Sequence, residues 1–102
     1  MQFEPLYKLG ANNKILYWQI STEDNKIIII HGQYQSPNLQ REERFVTEAK
    51  SQSTLHEQAL LEANTRWNNK IHEGYMIAND FNKYYSTTGE KYEHKKYTSN
   101  TL

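Results

Sequence analysis

The sequence predicts an α+β domain, a small antiparallel sheet of about four strands packed against one amphipathic helix. Three observations predict it. Short apolar and aromatic runs at residues 3–9, 15–20 and 26–31 are separated by clusters of turn-forming residues. Thr54 and Glu57 form a capping-box pattern ahead of apolar residues that recur at helical spacing. The chain has 102 residues, enough for one domain and too few for two. A core that small is modest, so each large apolar residue carries weight.

The first strand is expected at residues 3–9. Pro5 fits an edge position there, because proline donates no ladder hydrogen bond. Gly10, Asn12 and Asn13 make a turn. Residues 15–20 alternate, with Leu16, Trp18 and Ile20 on one face and Ile15 and Tyr17 on the other. A second turn covers residues 22–25. The run Ile27, Ile28, Ile29 and Ile30 does not alternate with polar residues. Successive strand side chains point to opposite faces, so this run predicts a central strand covered on both sides. A loop over residues 32–38 contains Pro37, and a fourth strand is expected over residues 39–49. Phe45 is its strongest core candidate, with Arg41, Glu42, Glu43 and Arg44 solvated.

In the helix, Leu60, Ala63, Trp67 and Ile71 share one stripe, with Leu55 and Leu61 placed to widen it. Glu62, Arg66, Asn69, Lys70 and Glu73 fall on the opposite side. Gly74 stands where a left-handed C-cap is needed. Beyond Ala78 the composition turns polar and no period emerges. The expected organisation is therefore a domain at residues 1–78 and a Tyr- and Lys-rich tail at residues 79–102.

Formal net charge is zero, which argues against a dedicated nonspecific nucleic-acid binder of the basic kind. There is no cysteine, which excludes disulfide and thiolate chemistry. The longest apolar run is far too short to span a bilayer, and the N-terminus lacks the pattern of a signal peptide. A soluble, cytoplasmic protein without membrane association is the expectation. His31, His56, His72 and His94 show no metal-ligand spacing. No phosphate loop, nucleophile elbow or acidic metal motif is present. The reading is a non-enzymatic protein with no cofactor, no metal and no small-molecule substrate.

Several pieces together resemble the WGR-like domain found at the N-terminus of some phage ATP-dependent DNA ligases. They are PLYKL (residues 5–9), ILYWQI (residues 15–20), HGQ (residues 31–33) and EQALLEANTRWNNKIHEGY (residues 57–75). The resemblance spans residues 5–78 and implies a small sheet crossed by a helix that binds DNA near ends or nicks. The family's Trp-Gly-Arg triplet corresponds here to His31, Gly32 and Gln33. The Gly is kept, while His and Gln stand where Trp and Arg would. Gln does not replace the charge-assisted fork of an Arg. The nucleotidyltransferase part of a ligase is absent, so the resemblance implies a stand-alone accessory module.

Candidate contact residues follow. His31 and Gln33 hold the triplet position. Arg66 and Lys70 lie one turn apart on the helix and suit phosphate, although Glu62, one turn before Arg66, suits an ordinary intrahelical ion pair. Arg41 and Arg44 flank Glu42 and Glu43. Lys91, Lys95 and Lys96 interleave with Tyr92 and Tyr97, a mixture that suits single-stranded nucleic acid or a protein interface. Two functions are expected from these residues. The first is binding of DNA ends or nicks. The alternative is a phage-encoded inhibitor or adaptor, anti-CRISPR-like, that binds a host nuclease or other defence protein in the host cytoplasm.

Overall fold

In the computed structural model the described residues are 1–49 and 53–87. Their order is β1 (Leu6–Leu9), β2 (Ile15–Glu23), β3 (Lys26–Gln33), β4 (Gln40–Phe45), α1 (Leu55–His72), β5 (Met76–Ile77) and α2 (Ala78–Thr87). The strands form one antiparallel sheet in the order β4-β3-β2-β1-β5. The α+β class is as the sequence predicts, with a fifth, two-residue strand added at one edge. β2 and β3 are longer than expected. Asp24, at φ 53°, lets the hairpin turn within Asp24 and Asn25.

Register sorts the side chains. Leu6 faces Trp18, Ile20 faces Ile29, and Thr22 faces Ile27, all on the side that α1 covers. Tyr7 faces Tyr17, and Gln19 faces Ile30, on the other side. The Ile run therefore supplies both faces of an interior strand: Ile27 and Ile29 enter the α1 core, while Ile28 and Ile30 point away from it.

α1 begins with the capping box in full. The Thr54 hydroxyl accepts from the Glu57 N–H, and the Glu57 carboxylate accepts from the Thr54 N–H. It ends at Gly74, whose φ of 103° is one that glycine tolerates best. The face against the sheet is rotated from the predicted stripe. Ala59 and Ala63 are fully buried, Leu60 and Trp67 half-buried, and Ile71, Leu55 and Leu61 exposed. Small side chains sit where the helix approaches most closely, and the larger ones flank that line. Trp67 packs on the core rim against Phe3, its indole N–H donating to the Glu4 carbonyl at 2.9 Å.

Two expectations are corrected. Phe45 is 60% exposed and Val46 is the buried residue. Register places Phe45 with Arg41 and Glu43 on the face away from α1, at the sheet edge, and the chain leaves the strand so that Val46 enters the α1 core. The strand also stops at Phe45 instead of reaching residue 49. The second correction concerns residues after Ala78, where α2 follows β5 directly. Phe81 is 1% exposed and packs with Tyr7 and Ile15 on the face opposite α1. The rest of the predicted tail, residues 88–102, lies outside the described residues. Among the described residues no helix is long and apolar enough to cross a membrane.

Candidate functional site

A groove of about 450 Å³ opens on the α1 side of the sheet. β2 and β3 give its floor through Trp18 and Ile29. The end of β3 contributes His31 and Gly32, and the last turns of α1 contribute Arg66, Asn69, Lys70 and Glu73. These helix residues recur at three- and four-residue intervals, which places them along one side of α1. They stand at the groove's rim, with Arg66, Asn69 and Glu73 exposed and Lys70 half-buried.

Each charged group has a defined setting. His31 Nε2 lies 2.8 Å from the Glu42 carboxylate across the β3–β4 pair. Lys70 sits over both the Trp18 and Tyr75 rings, at 5.5 and 5.4 Å from their centroids, and 3.2 Å from the Glu73 carboxylate. An ammonium over an aromatic face is held by the ring quadrupole. Lys8 also lies over Tyr75 and donates to the Glu73 carbonyl at 2.8 Å, tying β1 to the end of α1.

Arg66 is different. The expected Glu62–Arg66 ion pair does not form. Glu62 instead reaches Arg44 of β4 at 3.4 Å and accepts from Gln58 at 3.3 Å. Arg66 makes no hydrogen bond or ion pair among the described residues, and it lines the groove.

Gly32 sits beside it with φ 146°, and a Cβ there would lie 3.0 Å from the Leu39 side chain. Glycine at this position thus has a local cause, since any side chain would push into Leu39 and adopt a rare backbone conformation.

The structure brings His31, Arg66 and Lys70 together. Arg44 lies next to them in a smaller hollow with Arg66 and Glu42. Gln33 is exposed at the far end of β3, opposite Leu16. Arg41 points to the other face, where it bonds Glu43 at 2.8 Å. That hydrogen bond, with Lys26 behind it, holds the Glu43 carboxyl below its ordinary range. Lys91, Lys95 and Lys96 lie outside the described residues. Trp18, Asn69, Glu73 and Tyr75 belong to the groove and were not singled out as site residues by sequence. The polar stripe at positions 66, 69, 70 and 73 is the signal that would have found two of them.

A second hollow of about 320 Å³ lies on the opposite face, lined by Tyr7, Tyr17, Tyr34, Ile30, Leu39 and two glutamines. Tyr7 meets Tyr17 and Tyr34 edge-on at 5.5 and 5.4 Å. Burial, reinforced by the Tyr17 and Tyr34 phenols, pushes the Tyr7 hydroxyl up to about 12. Burial raises that of Tyr17 as well. Among the described residues no three His, Asp or Glu gather to hold a metal ion. No family model, curated protein or solved structure matches the chain.

Proposed function

We propose that the chain is a non-catalytic nucleic-acid-binding module whose α1-side groove engages DNA at ends or nicks. The observation that carries this reading is the unpaired Arg66 guanidinium beside His31, Gly32 and Lys70. Gln33 stands where the resembled family places an Arg, and Arg66 supplies a fork-shaped phosphate donor in the groove beside β3. Lys70 adds a second cation, held in place by two rings. Trp18, Tyr75 and Asn69 give the groove a mixed aromatic and polar wall. Glu42 and Glu73 offset part of the positive field, so affinity rests on placement more than on bulk charge.

The test is fluorescence anisotropy with nicked, blunt-ended and single-stranded DNA across a salt series. Binding to the nicked or end-bearing duplex should weaken steeply with salt. Arg66→Glu should reduce affinity about tenfold or more, and Lys70→Ala should lower the salt slope by about 1. Absence of any salt-sensitive binding at low ionic strength rejects the reading.

The hollow lined by Tyr7, Tyr17, Tyr34, Ile30 and Leu39 favours a second reading, a protein-binding inhibitor or adaptor. Tyrosine-rich apolar hollows on an open sheet face suit protein partners. For a phage-encoded chain, a host nuclease or other defence protein is the partner class. Capture from host lysate that survives nuclease treatment and is lost in Tyr34→Glu supports this reading; capture lost with nuclease treatment supports the first.

A further inference from the structure

The sheet has two unlike edges. One is β5, a two-residue strand that runs straight into α2. The other is β4, whose six residues are all exposed. Its backbone polarity follows from register. The Val46 N–H donates to the Asn25 carbonyl at 2.8 Å, so Val46 faces β3. Antiparallel ladders alternate, so Arg44, Glu42 and Gln40 also face β3, while Phe45, Glu43 and Arg41 turn their N–H and C=O groups outward. Among the described residues none of these outward groups forms a hydrogen bond.

An open edge is normally protected by charge, since like charges meet when two copies approach. Here the charges read Arg41, Glu42, Glu43, Arg44, the same in both directions. We propose that β4 pairs with β4 of a second copy of this chain, antiparallel and centred on Glu43, so that one sheet runs through both copies. In this register Arg41 lies opposite the partner's Phe45, and Glu43 opposite the partner's Glu43. These are the outward-facing residues, and each such pair exchanges both its N–H···O bonds. No outward group between Arg41 and Phe45 is left unpaired.

The intervening positions set Glu42 against the partner's Arg44 on the α1 side, and the reciprocal pair likewise. Opposite charges facing across strands favour pairing. On the other side, Phe45, 60% exposed in one copy, is covered by the partner's Arg41. The two Glu43 carboxylates at the centre repel, and Arg41 at 2.8 Å and Lys26 at 3.5 Å offset their charge. Shifting the register by two residues, to centre on Glu42, also opposes two carboxylates, now on the α1 side, and carries Phe45 past the end of the partner's β4. Centring on Glu43 satisfies backbone, charge and the exposed ring together. This inference does not rest on what the groove binds, although Glu42 also meets His31 there and Arg44 meets Glu62 within one copy.

A ladder of six residues is only about 20 Å long. The interface is small, so association is concentration-dependent. Sedimentation of the full chain should show a reversible monomer–dimer equilibrium. Glu42→Arg should weaken the dimer about tenfold or more by facing the partner's Arg44, and the double variant Glu42→Arg with Arg44→Glu should restore it. The chain has no cysteine, which allows a geometric test. Glu43→Cys should form a disulfide-linked dimer on mild oxidation, because Cα atoms in such a pair are about 5.5 Å apart. Arg44→Cys should not, as its symmetry mate lies on the diagonal about 7–8 Å away. A chain that stays monomeric at millimolar concentration overturns the proposal and leaves the edge to an extended strand of another protein. Equal cross-linking at positions 43 and 44 overturns it as well.

Discussion

The two faces of the sheet are closed by different means. On the first face α1, 18 residues long and capped at both ends, lays Ala59 and Ala63 over an aliphatic floor of Leu6, Ile20, Ile27 and Ile29. Small helix residues let the layers approach closely under Ala59 and Ala63, while the last turns of α1 leave the groove open over Trp18. On the second face α2, 10 residues long, is anchored through Phe81 on Tyr7 and Ile15. Rings meeting at angles keep contact over longer distances than methyl groups do. That face therefore holds together while leaving Tyr17, Tyr34, Ile30 and Leu39 around an open hollow. Dense aliphatic packing under the middle of α1 supplies stability, while the groove at its end and the aromatic hollow opposite supply surface.

The contrast can be broken most sharply from the aliphatic core of the first face. Ile20 is fully buried, and Ile20→Ala should cost about 4 kcal/mol, a large part of the stability of a domain this size. The loss should appear as a lower urea midpoint for the whole fold. Phe81→Ala on the second face should cost about 3 kcal/mol, since half-open neighbours relax into part of the space. Hydrogen exchange would separate the two: amides of α2 should lose protection in Phe81→Ala before those of α1.

Alkali should act on the second face through Tyr7. With the Tyr7 hydroxyl pushed up to about 12, the folded protein holds that proton more tightly than the unfolded chain. Its contribution to stability is complete below about pH 10 and falls as pH rises from there through about 12. Tyr7→Phe should move the alkaline unfolding midpoint upward, read by tyrosinate absorbance and circular dichroism. The smallest effect belongs to Phe45. As an exposed edge residue, Phe45→Thr should change monomer stability by less than about 0.5 kcal/mol. A loss near that of Ile20→Ala would show Phe45 to be a core residue after all.

Much of the fold was legible in the sequence. Thr54, Glu57 and Gly74 mark the ends of α1 because caps are local chemistry. The alternation in residues 15–20 and the Ile run fix faces because strand geometry has period two. The exposure of Phe45 is not legible, because an edge strand's burial depends on what covers it, and nothing in residues 40–46 announces that α2 stops short. α2 itself carries a helical signal, Phe81 with Tyr84 and Tyr85 at three- and four-residue spacing. Surrounding Asn, Asp and Ser, weak helix formers, obscure it. The groove was half legible. His31, Arg66 and Lys70 were singled out separately, but their meeting depends on the rotation of α1. Freedom of Arg66 depends on Glu62 choosing Arg44 from a strand 18 positions earlier.

β5 is only two residues long, yet Leu6 pairs with Ile77 and Tyr7 with Met76. Ile77 packs on the first core and Met76 on the second. The sheet is thus completed by joining segments some seventy positions apart in the chain. Contacts of such long sequence separation are slow to form. During synthesis the first strand must wait for its last neighbour, and the tyrosine-rich face stays open until residue 81 has left the ribosome. Folding of this domain therefore waits for synthesis of β5 and α2, and a chain cut short before β5 would leave Tyr7 and Ile15 uncovered and the first core without Ile77 at its rim.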